Sequence, residues 1–173
     1  MHDMAKMHMN NAHGLDSFDL KLLTALQQDG RLTNAQLGEM VHLSASQVSR
    51  RVQRLIEAGY IERFQAVLSR QKLGIGLTAY CLVTLKIHGG DSMQAFHDRV
   101  RSLPEVLECQ SLTGEADYVL KVAVTDLKRF ADFMSEHLMK APEVANIRSS
   151  IVLESIKETN AYPLAPRPAA NLP

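Results

Sequence analysis

Two runs, Thr33-Asn34-Ala35-Gln36 and Ser44-Ala45-Ser46-Gln47, each set a capping hydroxyl three residues before a glutamine. The hydroxyl takes a free backbone N–H of a helix's first turn while the glutamine reaches back to the cap, so each run fixes a helix start. The two starts are so close that the helix between them must be short, with only His42-Leu43 left for the turn. A further helix is predicted upstream, beginning near Asp16 or Ser17, with Phe18, Leu22, Leu23 and Leu26 on one face. Asp29-Gly30 ends it, the glycine suiting a C-terminal cap. The second helix should bury Leu37 and Val41, and the third should run from Ser44 to Ala58 and stop at Gly59. Three short helices with a tight second connection describe a helix-turn-helix, expected over residues 15–68.

The third helix carries the candidate chemistry. At 100° per residue Val48, Val52, Leu55 and Ile56 form one stripe, which should pack on the first two helices. Ser46, Gln47, Arg50, Gln53 and Arg54 point the other way, while Arg51 flanks the stripe and is placed to bend outward to a phosphate. Residues 44–54 hold three arginines and no acid. Arginine bonds guanine bidentately, and serine or glutamine near a helix start reaches other base edges or phosphates. The candidate DNA-binding set is therefore Ser44, Ser46, Gln47, Ser49, Arg50, Arg51, Gln53 and Arg54, with Gln47 also claimed by its own cap. The competing reading is a surface helix whose arginines serve solubility. Over the whole chain 19 basic residues balance 19 acidic ones, so bulk charge does not draw it to nucleic acid. With aromatics at 5% and no Trp, a stacking platform for single strands is also unsupported.

A β-type segment, Tyr60 to Leu68, follows, and residues 69–77 read as a linker. The second half then alternates: strand Tyr80–Ile87, helix Ser92–Leu103 stopped by Pro104, strands Val106–Leu112 and Tyr118–Val124, and a helix capped by Asp126 and ended by Pro142. A last strand, Val144 to Ile156, is expected to bend near Ser149-Ser150. This βαββαβ order over residues 78–157 predicts a ferredoxin-like domain: a four-stranded antiparallel sheet with both helices on one face. The fold class is α+β, and a partner subunit is the economical cover for the open sheet face. Residues 158–173 hold four of the six prolines and read as an extended tail.

Residues 1–14, rich in Met, His and Asn, read as a disordered arm whose irregular spacing defines no metal site. Cys81 and Cys109 lie in strand-like segments and read as reduced core thiols. His88, His97 and His137 lack ligand spacing and read as surface or turn residues. Gly74-Ile75-Gly76-Leu77-Thr78-Ala79 formally fits a dinucleotide fingerprint but precedes a strand rather than opening a helix. With no leader and no apolar run near the roughly 18 residues of a membrane span, the expectation is a cytoplasmic protein that is not an enzyme and uses no cofactor.

The runs LDSFDLKLLTALQQDGR, LTNAQLGEMVHLSASQVSRRVQRLIEAGYIERFQAVLSRQKLG and TGEADYVLKV together resemble the Lrp/AsnC (feast/famine) family of transcription regulators, from Leu15 to about Lys157. The resemblance implies a winged helix-turn-helix joined to a ligand-sensing, oligomerising domain, with amino-acid effectors and homodimers assembling further, often to octamers. It places the effector cleft between dimers, around Thr113, Gly114, Glu115, Ala116, Asp117 and Tyr118, with Ser149, Ser150 and Ile151 as a second region. It also makes His42 a departure, since a glycine is common at that turn. Independently, a glycine beside two acids lets a ligand approach the backbone, and Glu115 or Asp117 is a candidate partner for an α-ammonium group. The competing reading is a plain hairpin turn in which Asp117 bonds its own backbone. A second function class is an enzyme, because sirohaem decarboxylase subunits share this architecture. A third is an amino-acid-binding module that has lost DNA binding.

Overall fold

The computed structural model describes residues 14–86 and 89–164. The readings of the Met/His-rich arm and of His88 lie outside them. The chain divides into two compact units, Val67–Lys157 and the described residues on either side of it.

The first unit holds α1 (Ser17–Gln28), α2 (Asn34–Val41) and α3 (Ala45–Glu57). Both expected capping boxes are present, and Asp16 with Asp19 makes a third at the start of α1. Leu22, Ala25, Leu37, Val41 and Val48 form the core, with Phe18, Leu26 and Val52 packed against it. Ile56, expected in the buried stripe, is exposed. His42 adopts the left-handed conformation (φ 60°, ψ 46°) that its place in the turn demands. Leu43 N donates to the Gly38 carbonyl at 2.9 Å, reversing the chain there. Gly38 is a glycine for want of space, since a Cβ there would press on the Leu43 carbonyl oxygen. Gly30 does not take the left-handed form expected of a cap. It makes room instead for Phe64, whose ring would lie 3.1 Å from an added Cβ. Tyr60–Leu68, expected as a strand, forms none. A strand exists only through a hydrogen-bonded neighbour, and no described segment pairs with it. In the tail Tyr162 N donates to Gln27 Oε1 at 2.7 Å.

The second unit contains β1 (Leu77–Leu85), α4 (Gly90–Arg101), β2 (Val106–Ser111), β3 (Tyr118–Val124), α5 (Leu127–Phe133) and β4 (Val144–Ile151). The sheet order is β2-β3-β1-β4 with every pairing antiparallel. α5 passes into a π-helical turn, Met134–Leu138, where a plain α-helix was expected. β4 stops at Ile151, short of the expected Ile156 and without the expected bend. Its partner β1 begins at Leu77, so beyond Val152, which donates to Thr78, nothing remains to pair with. Ala79, Cys81, Val83 and Leu85 alternate inward with Tyr118, Leu120, Val122 and Val124, and Phe96, Val100, Phe130, Phe133 and Leu138 close over them. Burial pushes the Cys81 thiol up to about 11. Cys109 corrects the reading of two core thiols: it sits on the edge strand β2 and is exposed. The opposite sheet face carries Tyr80 and Leu82, 43% and 39% exposed. No helix among the described residues is long and apolar enough to cross a membrane.

Gly38→Ala weighs two opposing effects. Helix propensity favours alanine by about 1 kcal/mol, yet the new methyl must displace the Leu43 carbonyl in the α2–α3 turn. Overpacking of this kind costs about 1–3 kcal/mol, so the variant should unfold at lower urea than the parent. An unchanged or raised midpoint would show that the turn has room to give.

Candidate functional site

α3 presents its polar groups unevenly. Ser44 Oγ accepts from Gln47 N at 3.3 Å, and Gln47 Oε1 accepts from Ser44 N at 2.9 Å, so the cap occupies both residues. Ser46 Oγ lies 3.1 Å from Ser44 Oγ, and Gln53 Nε2 donates to Glu57 Oε1 at 2.9 Å. Ser49 and Arg50 are exposed, and neither side chain has a hydrogen bond or ion pair among the described residues.

Arg51 and Arg54 depart from the sequence expectation. Arg51 Nη1 donates to Asp16 Oδ2 at 2.7 Å and to Asp19 Oδ1 at 2.8 Å, and its guanidinium stands 5.4 Å from the Phe18 ring centroid. Arg54 Nη2 donates to the other oxygen of Asp19. Rather than bending outward, Arg51 is drawn back onto α1 and is 28% exposed. Arg54 keeps half of its surface, 53%. The hydrogen bonds that Arg51 donates to Asp16 and then to Asp19 hold it above an already high arginine value. Partial burial works against ionisation of Asp16, but the Asp19 and Phe18 N–H groups and Arg51 outweigh it and keep the carboxyl below its usual value. Sequence reasoning missed both acids. The available signal was Asp19 itself, three and four residues before Leu22 and Leu23 on the buried face of α1.

In the second unit, Thr113, Gly114 and Glu115 are exposed, and Gly114 takes φ +126°, a conformation that favours glycine. Asp117 is not the self-bonded turn residue of the competing reading. Its Oδ2 accepts from Leu85 N of β1 at 2.8 Å, and its own N–H donates to Val83 O at 2.9 Å, so it hangs the hairpin on the central strand. Tyr118 is buried against Phe96, with ring centroids 4.8 Å apart, and its hydroxyl lies 2.9 Å from His97 Nε2. Burial, then the nearby Cys109 and Asp117, raises the Tyr118 hydroxyl's pKa. His97, expected at the surface, is half-buried for the same contact. Glu115 is the exposed acid of the loop: 91% exposed, it meets Arg148 of β4 at 3.6 Å.

The second expected region is not gathered into one place. Ser149 and Ile151 stand opposite Cys81 and Ala79, on the helix side of the sheet, while Ser150 stands opposite Tyr80 on the open side. Tyr118 pairs with Val83, so Ile151 lies four residues of β1 away, about 13 Å along the strand. Arg148, next to that region, is what reaches the loop.

Residues 15–62 match a family described as winged helix-turn-helix DNA-binding, and residues 78–162 match the Lrp/AsnC ligand binding domain. The chain is 39% identical over 154 residues to a proline dehydrogenase transcriptional activator of Rhizobium radiobacter, covering 87% of this chain and 99% of that one. It is 38% identical over 144 residues to a leucine-responsive regulatory protein of Rhizobium meliloti, covering 83% and 92%. A solved transcriptional regulator of Neisseria meningitidis, in complex with L-Met, is 41% identical, superposes with a TM-score of 0.84, and covers 87% of this chain and 97% of its own. These relatives are named as regulators of transcription, and the haem-enzyme alternative finds no support among them. With a DNA-binding domain, a ligand-binding domain and near full-length relatives of one kind, the chain belongs to the Lrp/AsnC family of transcription regulators.

Proposed function

We propose that this cytoplasmic regulator reads a roughly palindromic operator as a homodimer, with Arg50 as its principal base-reading residue, and that an amino acid bound beside Glu115 tunes its occupancy of DNA. The observation that carries the DNA reading is Arg50, exposed and without a partner among the described residues, on the acid-free side of α3. A guanidinium already satisfied within the protein must break a bond to meet guanine, and Arg50 has none to break. Ser46 and Ser49 flank it as hydrogen-bonding groups, while Ser44, Gln47 and Gln53 are engaged within the helix.

The effector reading rests on charge. The α-carbon of an amino acid carries an ammonium and a carboxylate, and Glu115 with Arg148 offers one partner for each, on flexible and exposed side chains. An exposed pair of this kind is worth only about 0–1 kcal/mol, so a ligand displaces it cheaply. The Neisseria meningitidis regulator's L-Met complex supports the ligand class. The apolar face with Tyr80 and Leu82 supports a second subunit as its cover, and the family's habit extends this to a tetramer of dimers.

Three measurements test these parts. In electrophoretic titrations on the protein's own upstream region, Arg50→Ala should lose about 1–3 kcal/mol of discrimination against random DNA. Equal weakening on both would make Arg50 a phosphate contact. In a thermal-shift screen of amino acids, the parent should gain about 2.7 kcal/mol at a hundredfold excess over Kd, and Glu115→Gln should lose most of that gain while folding normally. A full gain in Glu115→Gln would remove the loop from the effector site. Asp117→Ala is the wrong probe, since it orphans the buried Leu85 N–H at about 1–3 kcal/mol. In sedimentation, Leu82→Glu should shift the protein to monomer, and an intact dimer would sink the sheet-face assignment.

A further inference from the structure

We propose that Asp19, assisted by Asp16, is a specificity-determining residue of the DNA-reading helix: it holds Arg51 and Arg54 back from the phosphates and leaves Arg50 to meet DNA. The proposal rests on the DNA reading above. Asp19 lies on α1, has no exposed surface, and takes a guanidinium on each oxygen. Its direction is fixed by Asp16 N, which donates to Oδ2 at 3.0 Å. Asp16 takes a second bond from Arg51, and Phe18 backs that guanidinium. α3 itself offers no acid before Glu57, so the carboxylates of Asp16, the cap of α1, and Asp19 are what restrains Arg51 and Arg54.

The consequence follows from how DNA is bound. Each cation that reaches a phosphate adds affinity for any sequence, whereas base contacts add it for one. Three free arginines on α3 would raise binding to random DNA and narrow the margin for the operator. Surface ion pairs yield easily to a competing phosphate, but a carboxylate with no exposed surface cannot be left unpaired without a large penalty. Burial of Asp19 therefore keeps the arginines at home when the polyanion approaches.

The test is the salt dependence of full-length protein binding to operator-region and random duplexes of equal length, followed by fluorescence anisotropy. Each arginine released onto a phosphate should steepen the log–log slope by roughly 0.9 per subunit. Asp19→Asn should show the largest steepening, with tighter binding to random DNA and a smaller operator-to-random ratio. Asp16→Asn should show a smaller change in the same direction, and because asparagine caps as well as aspartate, it decides the matter if Asp19→Asn fails to fold. Glu39→Gln removes an exposed acid with no partner among the described residues, and it should leave the slope unchanged. Unchanged slopes in the folded Asp19 and Asp16 variants would overturn the proposal, as would weaker binding to both duplexes at constant slope, the mark of a purely structural role. Equal steepening by Glu39→Gln would overturn it too, by showing an effect of bulk charge. Failure of the DNA reading looks different: the unaltered protein would show no salt-dependent binding at all, and this proposal would fall with it.

Discussion

The carboxylate of Asp19 joins the first helix of the DNA-binding unit to the third, and that join holds Arg51 and Arg54 of α3 against the start of α1. The core of this unit is small, with seven buried apolar residues among those described and a few half-buried neighbours. Apolar contacts are non-directional, so a stripe such as Val48 and Leu55 fixes that α3 packs but only loosely how it is rotated about its axis. Two charge-assisted bonds to opposite oxygens of one buried group supply the missing direction. A carboxylate with no exposed surface is costly to leave without its partners, so the join resists a rotation that apolar packing alone would allow. The Asp16–Asp19 capping box uses the same two side chains, so the start of α1 and the orientation of α3 are a single arrangement.

In the second unit β1 has the corresponding role. It lies between β3 and β4, so one strand sets both the buried face and the open one. Its inward residues meet the helices, and its outward residues Tyr80 and Leu82 form the apolar surface that a second subunit would cover. The 112–118 loop is tied to the same strand through Asp117 and Leu85 N. A ligand that alters the loop would therefore act on the strand that carries the proposed interface, and differential affinity for two proposed assembly states would need no longer path than that.

Much of this was legible in the sequence because local rules and the global fold agree. Hydroxyl-to-glutamine spacing gave two helix starts to the residue, and the alternation of inward residues in β1 and β3 gave the sheet. What escaped depends on neighbours distant in the chain. Asp19 is an ordinary polar residue of a helical pattern until two arginines more than thirty residues away are known to surround it. Cys109 has the apolar look of a core thiol, but its strand lies at the edge. Tyr60–Leu68 has strand composition without a strand to pair with, and β4 ends where β1 runs out rather than where its own residues change character.

Two of the acid–arginine pairs in the sensing unit differ in what opening them would cost. Glu143 is buried and meets Arg99 at 2.7 Å. Burial alone would raise its pKa, but the Arg99 hydrogen bond, its own backbone N–H and the charges of Arg99 and Lys86 together outweigh it and keep the carboxyl below its usual value. Opening that pair would strand a charge inside the protein, so it serves to tie α4 to the start of β4. Glu115 and Arg148 are separated by 3.6 Å and are both largely in water. In the proposed site, exchange for a zwitterion would replace one weak pair by two contacts of the same kind beside Gly114, whose φ of 126° favours glycine. A sensor needs groups whose rearrangement costs less than the ligand returns, and of these two pairs only the exposed one meets that condition.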